Sequence, residues 1–193
     1  TFIIILLLSI LVFNTQCDKI EKPYSEKGNE LDTPAFPALQ NVIQKYLLED
    51  FTGHLCNNCP QAHAIADEMK TEMGDTLIVL AIHSGVNAKP QVAPYDADYR
   101  TEMGDLTTSI FNITAYPRGM ISRKDFSGNR VLSRTAWKSK MASIPRQAPD
   151  LAMQILTSNP SKDSINVFVK TTFLANTNKN LRLYVVLSES GIV

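Results

Sequence analysis

The sequence predicts an α/β domain, in which helices flank a central sheet, followed by a second domain built from strands. Two short apolar runs, residues 45–51 and Leu77–His83, predict buried strands. Between them, apolar residues recur every three or four positions over residues 60–73, which predicts an amphipathic helix ending at Gly74. Strand, helix and strand with short joints form a βαβ unit with parallel strands and a right-handed crossover.

The pattern beyond this unit is consistent with the same α/β domain. Residues 84–105 form a long connection, irregular at first and predicted to be helical near residues 96–103. A connection of this length inside a compact domain is usually a functional loop or an insertion. Residues 111–123 form extended runs around a proline, residues 125–133 predict a hairpin with its turn at 127–129, and residues 135–144 predict a closing helix.

The last part of the chain reads as strands. Three strand-like runs are separated by turn residues: 151–157, 164–173 and 181–190, with turns at 158–160 and 176–180. In the third run, alternate positions from Leu181 to Leu187 are all Leu or Val, so one face of that strand is predicted to be buried. Because three strands are few for an independent sandwich, we expect the start of a sandwich-like β domain that this sequence truncates.

The first residues predict export and lipidation. Residues 2–13 form an apolar run broken only by Ser9, too short for the ~20 residues of a membrane span and of the length of a signal-peptide core. Cys17 follows the run, in the position of the lipidated cysteine of a bacterial lipoprotein. A plain secretory signal or a membrane anchor is the alternative. Residues 18–43 are polar with scattered Pro and Gly, which predicts a tether.

Composition narrows the classes of function. The chain has 19 Lys+Arg and 19 Asp+Glu, so it lacks the basic field that would hold nucleic acid or an anionic membrane surface. If Cys17 carries lipid, Cys56 and Cys59 remain as an even pair in an oxidising compartment. The predicted organisation is a signal peptide over 1–17, a tether over 18–43, an α/β domain over 44–146 and the β domain over 150–193.

Cys56 and Cys59 stand at the junction between the first strand and the helix. A helix N-terminus stabilises a thiolate, so the position predicts a redox-active dithiol, with an inert disulfide as the alternative. Haem attachment is excluded, because Pro60 rather than histidine follows the second cysteine. A metal site is a weaker alternative, in which His63 would share a helix face with Cys59. We expect no metal and no cofactor.

Pro60 leaves the first residue of this helix open. Proline favours the first helical position and disfavours helical geometry in the residue before it. A helix that starts at Pro60 would direct its dipole mainly at Cys59, whereas a helix that starts near Asn57 would be kinked at the proline.

Two further residues complete a pattern. Asp50 ends the first strand six residues before Cys56, in DFTGHLCNNC, and Pro117 heads a later strand, in AYPRG. With the βαβ unit, the later hairpin and the closing helix, this pattern resembles a thioredoxin-like domain. The whole layout, with its lipoprotein-like signal and its β domain, resembles the thioredoxin-like outer-membrane lipoproteins of Bacteroidota.

The resemblance implies a role for each residue of the motif. Cys56 would attack substrate disulfides, Cys59 would resolve the mixed disulfide, and Asp50 would accept the proton of the resolving thiol. Pro117 would follow a cis peptide bond and face the cysteines, and the backbone of Tyr116 would pair with substrate peptide. Asn57 and Asn58 would lie on the substrate-binding surface. This pair is unusual between the two cysteines of the family, and Leu55 stands where the family commonly has an aromatic residue.

The sequence therefore predicts a lipid-anchored thiol–disulfide oxidoreductase of the cell envelope, attached to the outer membrane and facing the periplasm or the surface. Its partners would be envelope proteins or peptides with thiols or disulfides, and the uncharged Asn57–Asn58 spacer predicts an intermediate reduction potential. The alternative is a surface lipoprotein for adhesion or assembly in which the disulfide is structural. We interpret His54 as a surface loop residue rather than a partner of a thiolate, and His63 and His83 as ordinary residues of the fold.

Overall fold

A computed structural model describes residues 32–191 of the chain. The predicted signal peptide, Cys17 and the first part of the tether lie outside the described residues. The described chain divides into two compact units: one holds residues 38–154 and 171–191, and the other holds residues 32–37 and 155–170. In the described part of the chain, no helix combines the length and apolar character needed to cross a bilayer.

The larger unit contains the predicted βαβ unit and its continuation. Its elements in chain order are β1 (Tyr46–Thr52), α1 (Cys59–Met73), β2 (Leu77–His83), α2 (Glu102–Ile110), β3 (Arg118–Ile121) and α3 (Trp137–Ala142). Short 3-10 turns at Gly74–Thr76, Val86–Ala88 and Arg134–Ala136 join some of these elements. The predicted strands and helix of the βαβ unit are confirmed to within a residue at each end.

The sheet has β1 at its centre. Its strand order is β2-β1-β3, with β1 parallel to β2 from Tyr46 opposite Leu77 to Thr52 opposite His83. β3 runs antiparallel to β1, and a single antiparallel bridge between Gly119 and Leu132 continues the sheet on the outer side of β3. This strand order, with its parallel and antiparallel pairs and a helix after β3, is that of a thioredoxin-like domain, and the predicted fold class is confirmed.

The core lies on both faces of this sheet. Leu48 of β1 packs with α1 and with Trp137 and Met141 of α3, whereas Phe51 packs with Ile113 and Met120 on the opposite face. Because successive strand residues point to opposite faces, Asp50 and Thr52 share the face of Leu48, which α1 covers. A carboxylate therefore lies on the side of the sheet that carries the cysteine-bearing helix.

Gly119 lets α3 approach the sheet closely. A Cβ atom at this position would lie 2.7 Å from ring atoms of Trp137, whose side chain is fully buried. Any larger residue at position 119 would push α3 away from β3, because close-packed interiors leave no space for the added atom.

The helix after the long connection begins later than predicted. The prediction of a helix near residues 96–103 is wrong, because residues 96–101 are irregular and α2 begins at Glu102. The hydroxyl of Thr101 accepts a hydrogen bond from the backbone N–H of Gly104 at 3.0 Å, which caps the helix N-terminus. Glu102 and Asp105, in the first turn, also suit the positive end of the helix dipole.

The predicted hairpin at residues 125–133 is present only as a turn. The N–H of Phe126 donates to the carbonyl of Asn129 at 3.0 Å, and Ser127 and Gly128 have positive φ angles as a tight turn requires. Beyond the turn, Leu132 pairs with Gly119 of β3 through a single bridge. The second strand of the hairpin is therefore not formed in full.

A further β region follows, and it differs from the prediction in two ways. β4 (Leu151–Ser161) and β5 (Ser164–Phe173) form a two-stranded sheet joined at residues 162–163, so the turn predicted at residues 158–160 lies inside β4. The run at residues 181–190 is not a strand, and its alternate Leu and Val side chains are exposed. A strand needs a neighbour for its backbone N–H and C=O groups, and none pairs with this run among the described residues.

Candidate active site

Cys56 and Cys59 form a disulfide bond at the start of α1, with their Cα atoms 5.3 Å apart. The helix begins at Cys59, so Pro60 lies in the first turn, where backbone N–H groups have no acceptor within the helix and none is lost. Cys56 lies in the preceding turn, where its N–H donates to the carbonyl of Gly53 at 3.0 Å. The helix start that the sequence left open is thus at Cys59, without a kink.

The two cysteines differ in their access to solvent. The exposed fraction of Cys56 is 8%, and that of Cys59 is 1%. Asn57 and Asn58 between them are exposed, and the side chain of Asn58 makes no capping hydrogen bond to the helix. A reagent that approaches from solvent therefore reaches the sulfur of Cys56 before that of Cys59.

The peptide bond between Tyr116 and Pro117 is cis, as the resemblance implied. Pro117 is buried, and the Tyr116 hydroxyl lies 3.2 Å from the hydroxyl of Ser84, directly after β2. Ser84 in turn accepts a hydrogen bond from Thr108 of α2 at 2.8 Å. The turn before β3 is thus tied to the end of β2 and to α2.

The long connection after β2 lies against the segment that leads to Cys56. The N–H of Leu55 donates to the carbonyl of Asn87 at 2.9 Å, and Nε2 of His54 is 3.1 Å from the carbonyl oxygen of Lys89. Gly53 permits this approach, since a Cβ atom there would lie 2.7 Å from the backbone nitrogen of Ala88. The part of the connection predicted to be functional therefore borders the disulfide.

Aromatic rings fill the space between this connection and the ends of the strands. The ring of His54 is stacked on Tyr95, with centroids 5.9 Å apart, and Tyr99 meets both His54 and His83 edge-on. Burial lowers the pKa of His83, and the charges of His54 and His63 lower it further. His83 thus packs within the fold, as interpreted from the sequence. His54 lies in a loop as predicted, but it is half-buried against Tyr95 and Tyr99 rather than on the open surface.

Asp50 is the predicted site residue with the most unusual environment. Its exposed fraction is 1%, and neither carboxylate oxygen makes a hydrogen bond among the described residues. Burial without such partners penalises the charged form and raises the pKa of Asp50 from 3.8 to about 7. The carboxyl group can therefore gain or lose a proton near neutral pH.

His63 lies beside Asp50, which the sequence interpretation missed. Its Nε2 atom is 3.4 Å from Oδ2 of Asp50 and 3.1 Å from the hydroxyl oxygen of Thr52. Two spacings could have indicated this contact: His63 is one helical turn after Cys59, and Asp50 and Thr52 are two apart on one strand face. Among residues 32–191, no three His, Cys, Asp or Glu side chains form a group that could hold a metal ion.

Comparison with known proteins gives structural likenesses only. No protein-family model matches the chain, and no curated protein matches it. One similar solved structure is the pneumococcal exposed lipoprotein thioredoxin of Streptococcus pneumoniae strain TIGR4, at 19% identity and a TM-score of 0.38, over 52% of this chain and 85% of that one. Another is a protein of Agrobacterium tumefaciens, at 12% identity and a TM-score of 0.40, over 66% of this chain.

The present chain covers 57% of the length of the Agrobacterium protein. Both identities are below 25% and both TM-scores are below 0.5, so neither likeness bears on the activity or the location of this chain. The fold is established by the strand order, the disulfide at the helix start and the cis proline before β3. The chain has a thioredoxin-like fold.

Proposed function

We propose that the protein is a thiol–disulfide oxidoreductase whose reactive pair is Cys56 and Cys59. The observation that carries this proposal is the buried Asp50 carboxyl group without a hydrogen bond. Burying such a group costs stability, and a structural disulfide has no use for it. Perturbed titratable groups of this kind cluster at functional sites, where they transfer protons.

The reaction follows from the unequal exposure of the two cysteines. The thiolate of Cys56, the more exposed cysteine, attacks a substrate disulfide; a mixed disulfide forms and one substrate thiolate leaves. Asp50 accepts the proton of the Cys59 thiol, and the Cys59 thiolate attacks Sγ of Cys56. The bond between Cys56 and the substrate breaks, the Cys56–Cys59 disulfide forms, and the second substrate thiolate leaves. The protein loses two electrons and the substrate disulfide gains them.

A dithiol reductant returns the protein to its reduced form, and the reverse sequence oxidises a substrate dithiol. The exposed Asn57 and Asn58 and the backbone of Tyr116 would form the surface that receives the substrate. Pro117, which directly follows Tyr116, would border this surface.

The cellular setting is proposed from the sequence. The apolar run at residues 2–13, followed by Cys17, supports a lipid anchor in the outer membrane of the cell envelope. The partners would then be envelope proteins or peptides that contain thiols or disulfides.

The test is the reduction potential of the Cys56–Cys59 pair, measured by equilibrating the purified protein in glutathione buffers. We expect a value between roughly −120 and −270 mV, the range of working oxidoreductases. A value below about −300 mV is typical of structural disulfides and would favour the alternative, a surface lipoprotein for adhesion or assembly. In a second arm, Cys59→Ser should accumulate mixed disulfides with envelope proteins, whereas Cys56→Ser, which lacks the attacking thiol, should not.

A further inference from the structure

Asp50 can work in repeated cycles only if its proton leaves the interior after each one. The carboxyl group is 99% covered, so exchange with bulk water needs another group at the surface. We propose that His63 carries the proton between Asp50 and bulk solvent in each cycle. This inference rests on the proposed oxidoreductase function.

The geometry supports this path in both directions. On the inner side, Nε2 of His63 is 3.4 Å from Oδ2 of Asp50; on the outer side, 45% of the His63 side chain is exposed. Among the described residues, His63 is the one cation-forming side chain within 4 Å of the Asp50 carboxylate. Histidine is also the side chain whose charge ordinarily changes between roughly pH 5 and 8, so it can both accept and release a proton under physiological conditions.

Through its hydroxyl group, Thr52 can be a hydrogen-bond partner of the His63 ring before and after the ring takes up the proton. Its hydroxyl oxygen, which is buried, lies 3.1 Å from Nε2 of His63. A hydroxyl group both donates and accepts. It can donate to Nε2 when this nitrogen carries no proton and can accept from it when the ring is protonated. The ring nitrogen therefore keeps a hydrogen-bond partner in both states.

The other charged groups at this end of the sheet do not replace His63. Other charged or titratable side chains of the surrounding segments include Glu49, His54, Asp67, His83 and Arg118. Glu49 is held by Arg123 in an ion pair of 2.7 Å. The pKa of His83 is lowered by burial and by the charges of His54 and His63, which makes His83 a weaker proton acceptor. None of the five forms an ion pair with Asp50 among residues 32–191.

The proton balance of the cycle is simple. Asp50 takes one proton from the Cys59 thiol as the Cys56–Cys59 disulfide forms. Nε2 of His63 then accepts this proton from Asp50, and the imidazolium loses it to water. The departing substrate thiolates take their protons from solvent. When a dithiol reductant opens the disulfide again, Cys59 leaves as a thiolate. A proton from solvent, passed through His63 and Asp50, converts it to the thiol, and Asp50 is again ionised for the next resolving step.

The test compares His63→Gln with the parent protein in the steady-state reduction of insulin disulfides, with dithiothreitol as the reductant. Glutamine keeps a polar side chain of similar length but cannot carry a proton. We expect the steady-state rate to fall about tenfold or more, within the effect of a lost proton-transfer group. Added imidazole should restore the rate of a companion variant, His63→Ala, in a saturable way, because truncation at the half-exposed position 63 leaves space for the ring. The matched control is Ala64→Gln, an exposed change on the same helix, which should keep the parent rate.

The outcomes separate the two proposals. If the parent and Ala64→Gln do not reduce insulin, the proposed function fails. If both are active and His63→Gln matches them, or if the lost activity of His63→Ala does not respond to imidazole, the relay is refuted and the oxidoreductase function stands.

A second variant and a measurement without turnover cover the case of a misfolded His63→Gln. Thr52→Val removes the hydroxyl at nearly constant volume and should lower the steady-state rate severalfold. In the oxidised parent protein, the carboxyl carbon of Asp50 and the ring nitrogens of His63 should titrate as a coupled pair by NMR. Independent titration of the two side chains would contradict the relay.

Discussion

Two neighbouring residues of β1, Glu49 and Asp50, are both buried carboxylates on opposite faces of one sheet, and they have opposite environments. Glu49 receives hydrogen bonds from Nε and Nη2 of Arg123, with its closest contact at 2.7 Å. Arg123 also lies over the ring of Phe111, 5.2 Å from its centroid. Asp50 receives no hydrogen bond among the described residues and lies beside a half-exposed histidine.

The different environments of Glu49 and Asp50 suit different roles for a buried carboxylate. A carboxylate with a bidentate guanidinium partner has its charge compensated, and Glu49 joins β1 in this way to the residue that follows β3 by two. A buried carboxylate without a hydrogen bond, as at Asp50, has its pKa raised to about 7 and is able to exchange a proton. The environment of Glu49 suits stabilisation of the fold, and that of Asp50 suits proton transfer.

The largest effect is expected from Asp50→Asn, which removes the group without a partner. The folded protein binds the Asp50 proton more tightly than the unfolded chain does, because the folded pKa is about 7 against 3.8. The contribution of Asp50 to the stability of the parent should therefore be greatest below about pH 4, fall as the pH rises to about 7, and then level off. The variant should lose this slope and be more stable at pH 8 by up to about 4 kcal/mol.

Urea unfolding of the oxidised protein at several pH values measures this effect. Between pH 4 and 7, the parent is expected to lose stability relative to Asp50→Asn. A gain of the same size over this range would contradict the assignment of Asp50 as a proton acceptor. The same variant should resolve mixed disulfides slowly, so its gain in stability comes with a loss of activity.

The next effect is expected from Arg123→Met, which turns Glu49 into a second carboxylate without a partner. Glu49 is buried, whereas 45% of the Arg123 side chain is exposed. Removing the partner of this buried carboxylate leaves an uncompensated charge, so we expect a loss of up to about 3 kcal/mol in the free energy of unfolding. Denaturant unfolding at pH 7 provides the measurement. Arg130→Met is the matched control, because its contact with Asp125 is 3.7 Å and exposed, and it should change stability little. If Arg123→Met and Arg130→Met lost equal stability, the ion pair of Glu49 would contribute no more than an exposed one. The contrast between Glu49 and Asp50 would then not hold.

The smallest effect is expected in the pH dependence of the resolving step, which tests the role of Asp50 as the proton acceptor. The rate of the resolving step should rise about tenfold per pH unit below pH 7 and level off above it, because only ionised Asp50 accepts the Cys59 proton. Stopped-flow kinetics with a preformed mixed disulfide would follow this step. In Asp50→Asn the bend near pH 7 should be absent; a bend that persists would assign it to another group.

The exposed run at residues 181–190 shows where prediction from the sequence stops. Its strict alternation of apolar residues predicts a strand with one buried face, but the run is not a strand, its side chains are exposed, and no strand pairs with it among the described residues. Alternation specifies which side chains share a face, but pairing depends on a neighbour that supplies backbone groups. The start of α2 was missed for the opposite reason, because a local cap by Thr101 decided it and the apolar pattern did not.

The sequence by itself determined the βαβ unit, the disulfide at its helix start and the proline before β3. These features depend on local periodicity, on spacing and on the stereochemistry of single residues, all of which are written along the chain. Only the tertiary structure decided that Glu49 pairs with Arg123, 74 residues away, and that Asp50 meets His63. Sheet register and helix packing determine such contacts. They also determine which of two adjacent carboxylates is held as a charge and which is left able to move a proton.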